Sequence, residues 1–317
     1  MSTSSAEMVA TVDGLSRRFG RQDALRNVSL NIPRGGVFGL VGLNGAGKTT
    51  LIKHLLGLYR ATSGTVRVQG VDPSERPEVA LARVGYMSDD DQLPGWMRVA
   101  QLAHFYRAFY PQWDDDYASE LMTMFQLDPT ARLKTLSKGQ RARAGLLIAL
   151  AHRPELLILD EPSSGLDPLV RGDILEAIVK AIADEGRTVL FSSHLLDEVD
   201  RVADRVAVIH QGEVLYDDEL IALKDRFRRV GFHFEQPTTP EDLAGVCGWR
   251  GSDNSWSALV DLEKTAPERL ASQWGAAVDD IHEVSLHELF VSTLREASGS
   301  VALDQTNRVD DNKMVTS

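Results

Sequence analysis

The stretch Gly42-Leu43-Asn44-Gly45-Ala46-Gly47-Lys48-Thr49-Thr50 constrains this chain more than any other. It fits the spacing G-x-x-x-x-G-K-[ST], and its flanks suit it. Gly36–Val41 before it reads as a short buried strand, and residues 49–58 after it carry apolar side chains at helical spacing. A loop joining strand to helix in this way suits an anion. Glycines let successive N–H groups turn inward, and the helix start adds unpaired donors and the positive end of its dipole. Lys48 can then reach outer phosphates, and the Thr49 hydroxyl is placed for a magnesium ion bridging them. The competing reading is a glycine-rich turn without a ligand.

Composition limits what surrounds this loop. A chain of 317 residues, 43% hydrophobic and 25% charged, has room for one large domain and a smaller one. No apolar run approaches the roughly 18 residues needed to cross a bilayer, and Met1-Ser2-Thr3-Ser4-Ser5 lacks a basic start followed by an apolar block. The expectation is a chain that is neither secreted nor membrane-spanning. Cys247, the single cysteine, cannot form an internal disulfide, which suits a reducing compartment. With 34 basic against 46 acidic residues, the net charge of -12 argues against broad binding to nucleic acid.

Residues 12–19 and 27–32 read as two strands of one sheet, and residues 66–68 and 83–87 as further strands belonging to it. Phe19, in Arg17-Arg18-Phe19-Gly20, can stack on a nucleotide base or simply pack within its strand. From about 93 to 150 the pattern turns helical, with Leu102, Phe105, Tyr106 and Phe109 on one face. Asp114-Asp115-Asp116 resembles a metal cluster, but acids after Trp113 at a helix start are better explained by capping and the dipole. Ser137, in Leu136-Ser137-Lys138-Gly139-Gln140, is placed as the N-cap of a helix running through residues 144–151. Such a start can bind anions.

Leu156-Leu157-Ile158-Leu159-Asp160-Glu161 is an apolar run ending in two carboxylates, as a buried central strand carrying chemistry at its C-terminal edge would be. Neighbouring side chains diverge in a strand. Asp160 can therefore serve a magnesium shell while Glu161 points toward a water able to attack phosphorus. Pro162-Ser163-Ser164-Gly165-Leu166-Asp167-Pro168 links to the next helix, and Thr188–Ser193 reads as a strand that delivers His194 at its end. From the edge of the sheet holding the phosphate loop, that histidine can reach a γ-phosphate.

Together these stretches resemble the nucleotide-binding domain of ABC transporters over roughly residues 9–223. Residues 42–49 match Walker A, 136–140 the signature, 156–161 Walker B, 164–167 the D-loop, and His194 the switch histidine. Leu93-Pro94-Gly95-Trp96 and Phe109-Tyr110-Pro111-Gln112-Trp113-Asp114 look like the ATPases of ABC-2-type exporters, including a branch whose members resemble the YtrB ATPase. The resemblance implies an α/β fold, a P-loop NTPase, ABC-type ATPase domain with an inserted helical subdomain, to which the patterning beyond it adds a small C-terminal α+β extension. It implies ATP and Mg2+ as cofactors. Phe19 then stacks adenine, while Gly42, Leu43, Asn44, Gly45, Ala46, Gly47, Lys48, Thr49 and Thr50 hold phosphates. Thr49 and Asp160 hold the metal, Glu161 is the catalytic base and His194 the γ-phosphate sensor. Ser137, Lys138, Gly139 and Gln140 of the signature, with Asp167, face nucleotide, Ser137 and Gly139 touching ATP held by a second copy in a head-to-tail dimer.

Two departures stand out. The family places Gln after the strand ending near Met87, where this chain has Ser88-Asp89-Asp90-Asp91-Gln92. Either Asp89 or Gln92 takes that place, so Asp89 is a candidate metal ligand through water. Lys138 replaces the usual signature glycine, either adding charge near the ATP of the opposite copy or lying solvated. The expected boundaries are a flexible 1–8, an ATPase domain 9–227 with its helical part at about 90–150, an α+β accessory domain 228–296 and a disordered 297–317. In that accessory domain, residues 230–234 and 255–260 alternate like strands, while 266–274 and 285–294 look helical. His282 and His287 lack matching ligands for a metal.

The expected function is an ATP-hydrolysing subunit, cytoplasmic and peripheral on the inner face of the membrane, that drives a separately encoded integral membrane permease, in the export direction. Its permease contact is expected near residues 89–97, with Trp96 and Met97 either docking a partner or packing inward. The rival is a soluble, non-transport ABC ATPase acting on ribosomes or nucleic acid. Against it stand one cassette, an acidic balance and no coiled-coil insertion, so no nucleic acid is expected as partner.

Overall fold

The computed structural model describes residues 7–88, 93–240 and 245–297. In chain order, β1 (Met8–Phe19) and β2 (Gln22–Pro33) lead into β3 (Gly36–Val41) and α1 (Lys48–Leu55). Then come β4 (Ser63–Val68), the short α2 (Pro77–Ala80) and β5 (Val84–Met87), followed by α3 (Val99–Arg107), α4 (Asp115–Met124) and α5 (Lys138–Leu150). The chain returns through β6 (Leu156–Asp160), α6 (Pro168–Glu185), β7 (Thr188–Ser193) and α7 (Leu196–Val202) to the hairpin β8 (Arg205–His210) and β9 (Glu213–Glu219). Last come α8 (Leu220–Arg226), β10 (Phe227–Phe234), β11 (Val246–Ser252), β12 (Ser255–Asp261), α9 (Pro267–Trp274), β13 (Ala276–Glu283) and α10 (Leu286–Ala297).

The chain packs as two compact units that meet in sequence at Leu220 and Ile221. The first holds two sheets rather than one. β5, β6, β7, β3 and β8 run parallel with β9 antiparallel at the edge, in the order β5-β6-β7-β3-β8-β9. β2-β1-β4 form a separate antiparallel sheet, so the single sheet expected from sequence is divided between β4 and β5. Gly14, at φ +59°, sits where the β1–β2 register slips, a bulge that adds twist to the smaller sheet.

Helix α1 joins the two sheets through their shared core. Leu51, Ile52 and Leu55 are fully buried with Leu15, Leu30 and Ile32 of the small sheet and Phe38, Leu40, Ile158 and Leu190 of the large one. Each such side chain contributes about 1.5–3 kcal/mol by burial, so the helix that follows the glycine loop is anchored from both sides. Strands β6 and β7 are buried at every residue, as parallel strands covered on both faces must be.

The helical part, α3 to α5, is inserted between β5 and β6. Asp114 caps α4 by accepting from the Tyr117 amide at 2.8 Å, and it also pairs with Arg153 at 2.7 Å, in keeping with the capping reading of this acidic run. The aromatic stripe of α3 is not a core face throughout. Leu102 is buried, whereas Phe105 and Phe109 stay exposed and meet edge to face at 5.1 Å, because α3 ends at Arg107 and its inner side is already filled by Val99, Leu102 and Ala103.

The second unit is a four-stranded antiparallel sheet, β11-β12-β10-β13. Phe232, Phe234 and Trp256 pack with Leu270 and Ala271 of α9, and Arg229 of β10 reaches Glu288 of α10 at 2.8 Å. β11 and β13 escape the sequence reading: β11 is interrupted by Gly248 and a register shift, and β13 is an exposed, acidic edge strand. Among the described residues no helix is long and apolar enough to cross a membrane.

Candidate active site

The parallel strands bring three loops to one edge of the sheet. Register pairs Val41 of β3 with Ser193 of β7, and Asp160 of β6 with Ser192 of β7, so the glycine loop, the carboxylate pair and His194 all emerge together.

The glycine loop is shaped by close approach. A Cβ on Gly42 would lie 2.4 Å from the Ile209 carbonyl oxygen, and one on Gly47, at φ +116°, 2.7 Å from that of Ala24. Gly47 caps α1 without a side-chain bond, which leaves the first amides of the helix for a ligand. Leu43, Asn44 and Gly45 are exposed, and Ala46 is buried, its amide closing a turn onto Leu43 at 3.0 Å. Thr49 is exposed and Thr50 half-buried at the helix start.

Lys48 is 5% exposed, so its ammonium must be satisfied internally. It donates to the carbonyl of Gly42 at 2.6 Å and of Leu43 at 3.3 Å, and stands 2.9 Å from Glu161 Oε1. The other oxygen of Glu161, Oε2, receives the His194 ring at Nδ1 over 2.6 Å and the His194 amide at 3.3 Å. Glu161 is itself 8% exposed and adopts φ +50°. A left-handed backbone costs a glutamate about 1 kcal/mol or more, and here it turns the carboxylate out of the strand toward Lys48 and His194.

Asp160 points the other way. It is buried, and Oδ1 accepts from Ser192 Oγ at 2.7 Å; that same hydroxyl receives the Glu161 amide at 3.0 Å. Burial pushes the Asp160 carboxyl up, while hydrogen bonds from Ser192 and Thr49 pull it back. The two acids do diverge, Asp160 toward Thr49 and Glu161 toward Lys48 and His194, but the strand ends at Asp160 and the left-handed turn at Glu161, rather than strand alternation, separates them.

Signature residues stand at the start of α5. Ser137 and Gln140 form a reciprocal capping box, at 3.2 and 3.0 Å. Gly139 is buried where a side chain would strike Val170 of α6 at 2.8 Å, so α5 needs a glycine there to pack. Lys138 donates to the Ser164 carbonyl at 2.8 Å. Asp167 caps α6, accepting from the Leu169 and Val170 amides at 3.1 Å each. Phe19 is 41% exposed, meets Tyr59 edge to face at 5.5 Å and lies under the Arg17 guanidinium at 4.8 Å. Asp89 and Gln92 lie outside the described residues. Sequence reasoning missed Ser192, Ser163, Glu198 and Tyr59, because serines inside an apolar strand or turn and a tyrosine after a helix carry no spacing signal.

A cavity of about 260 Å3 opens beside Glu161, and its lining includes polar Lys138, Arg141 and Ser164 together with Met87, Leu93 and Ile148. Met97 is buried and so packs inward, whereas Trp96 is 71% exposed.

The family described as ABC transporter matches residues 25–164. The ABC transporter ATP-binding protein YtrB of Bacillus subtilis (strain 168) is 31% identical over 221 residues, 70% of this chain and 75% of YtrB. This chain belongs to the ABC transporter ATP-binding proteins. The bacitracin transport ATP-binding protein BcrA of Enterococcus faecalis is 32% identical over 227 residues, 70% of this chain and 73% of BcrA. A solved ATP-binding subunit of an ABC transporter superposes with a TM-score of 0.63 at 27% identity, covering 68% of this chain and 92% of that one. As an ABC transporter ATP-binding subunit the protein binds ATP and is an ATPase, and its fold is the P-loop NTPase cassette.

Proposed function

We propose that this ABC ATP-binding subunit closes head to tail with a second copy around two ATP molecules and thereby drives a separate integral membrane permease, in the direction of export. The observation that carries the hydrolytic part is the Glu161 carboxylate held between Lys48 and His194 at the mouth of the glycine loop. Residues 42–50 cradle the phosphates, and a triphosphate offers Lys48 a charged partner in place of the two neutral carbonyls it touches beside Glu161. Glu161 then takes a proton from a water whose oxygen attacks the γ-phosphorus; the bond to the bridging oxygen breaks, giving ADP and phosphate. His194 orients that carboxylate and meets the γ-phosphate. Phe19, exposed at the end of β1, offers a face for the adenine.

Magnesium fits the oxygen set formed by Thr49 and Asp160, since a buried carboxylate pushed toward protonation gains from a nearby cation. When bound, that ion neutralises charge on the phosphates. Asp89 or Gln92 completes this set in our reading.

Support for a second copy comes from the start of α5, where the amides around Ser137 and Gly139, with Gln140 beside them, suit an anion that the chain's own phosphate loop does not need, while Asp167 caps α6 and the Lys138 ammonium turns to Ser164 of its own chain. The permease contact in this reading lies near residues 89–97, with exposed Trp96 as the apolar anchor and Leu93 lining the cavity. Export is supported by the ABC-2 resemblance and by BcrA, whose name ties it to bacitracin transport. Membrane association would then run through the permease. Sedimentation of Glu161→Gln with magnesium and ATP tests closure: a nucleotide-dependent dimer supports it, and a protein that stays monomeric alone and with its permease removes it.

A further inference from the structure

Lys138 is the first residue of α5, exposed, with a side chain free to trail into water. Instead its Nζ donates to the Ser164 carbonyl at 2.8 Å, and a Cβ on Gly165, at φ +64°, would stand 2.5 Å from the same nitrogen. The segment that receives this bond begins immediately after Glu161 and ends at Asp167, the cap of α6.

The opposite side of that turn is already held from within the fold. Ser163, buried, donates to the buried Glu198 of α7, the helix that follows His194. Arg171 donates to the Leu166 carbonyl at 2.8 Å. The solvent-facing peptide of Ser164 is where Lys138 adds its own hold.

We propose that Lys138 is a positioning residue for hydrolysis that acts within its own chain: by holding the Ser164 carbonyl it fixes the turn after Glu161, and with it the left-handed conformation that aims the Glu161 carboxylate at His194. The inference rests on the reading of Glu161 as the base. It locates the effect of Lys138 in turnover rather than in nucleotide affinity, because the ammonium is committed to a backbone oxygen of the same subunit. Gly165 is part of the device, since a side chain there would displace the ammonium while leaving the lysine in place.

Steady-state ATP hydrolysis by the full chain, with thermal unfolding alongside, tests it. Lys138→Met should lower kcat threefold to tenfold, about 0.7–1.4 kcal/mol of barrier, with KM for ATP within about twofold and the melting temperature unchanged. Lys138→Arg, which keeps a donor, should recover most of the loss. Gly165→Ala, which strains the turn at φ +64° as well as crowding the ammonium, should lower kcat at least as much, and Lys138→Met in its background should add little. Unchanged kcat in Lys138→Met overturns the proposal, as does a raised, salt-dependent KM at constant kcat, which would place the charge on nucleotide instead. Glu161→Gln in the same assay separates the failures: wild-type turnover there removes the base itself, whereas an inactive Glu161→Gln beside a normal Lys138→Met removes only the latch.

Discussion

His194 Nδ1 lies 2.6 Å from Glu161 Oε2, and the His194 amide reaches the same oxygen at 3.3 Å. An ionised carboxylate only accepts, so the ring donates through Nδ1 and leaves Nε2 for another partner. His194→Ala removes the ring donor while keeping the amide. Turnover should fall about 100-fold with ATP affinity changed by less than about threefold, measured by single-turnover hydrolysis and nucleotide titration. An equal loss in both would mean that the histidine serves binding rather than chemistry.

Gly47 combines φ +116° with a backbone oxygen where its Cβ would be. Because that obstacle is the Ala24 carbonyl and not a movable side chain, Gly47→Ala must deform the loop or the start of α1. The expected result is a loss of roughly 1–3 kcal/mol of stability together with ATP binding too weak to saturate. A variant with wild-type affinity would show that the loop tolerates a second geometry.

His152 gives the helical part a pH dependence. It is buried against Tyr110, stacked at 3.8 Å, with Nε2 on the Val84 carbonyl at 3.2 Å, and burial together with nearby Arg187 drives the imidazole down to about 4. The unfolded chain takes up that proton near pH 6.5, the folded chain only near 4, so stability falls as pH drops through this window and levels off below it. The cost at the acid end is at most about 3–4 kcal/mol. Melting curves at pH 7.5 and 4.5 should therefore differ by about 5 °C less in His152→Phe than in the wild type. An identical gap in both would assign the acid sensitivity to other groups.

Much of this site is legible in sequence because its residues sit at ends of strongly patterned segments. The left-handed turn at Glu161 that sends the two acids apart is not written in the strand period, but the run from Leu156 to Leu159 identifies a doubly covered parallel strand ending at Asp160. Likewise Ser137 followed three residues later by Gln140 announces its own capping box. What sequence does not carry is contact across distance. Nothing in the spacing tells that Ser192 would share its hydroxyl between Asp160 and the Glu161 amide, that Ser163 would find Glu198, or that Lys138 would turn to Ser164. The division into two sheets was hidden for a related reason: β4 and β5 have similar local patterns, and only their partners, β1 and β6, separate them.

The central claim is that Glu161 takes the proton from the attacking water. The direct measurement is the single-turnover rate of ATP hydrolysis in the wild type and in Glu161→Gln, with nucleotide saturating. A general base of this kind is worth roughly 10²–10⁴ in rate, so Glu161→Gln should bind ATP and hydrolyse it at least about 100-fold more slowly. A glutamine variant that hydrolyses at the wild-type rate would contradict the account.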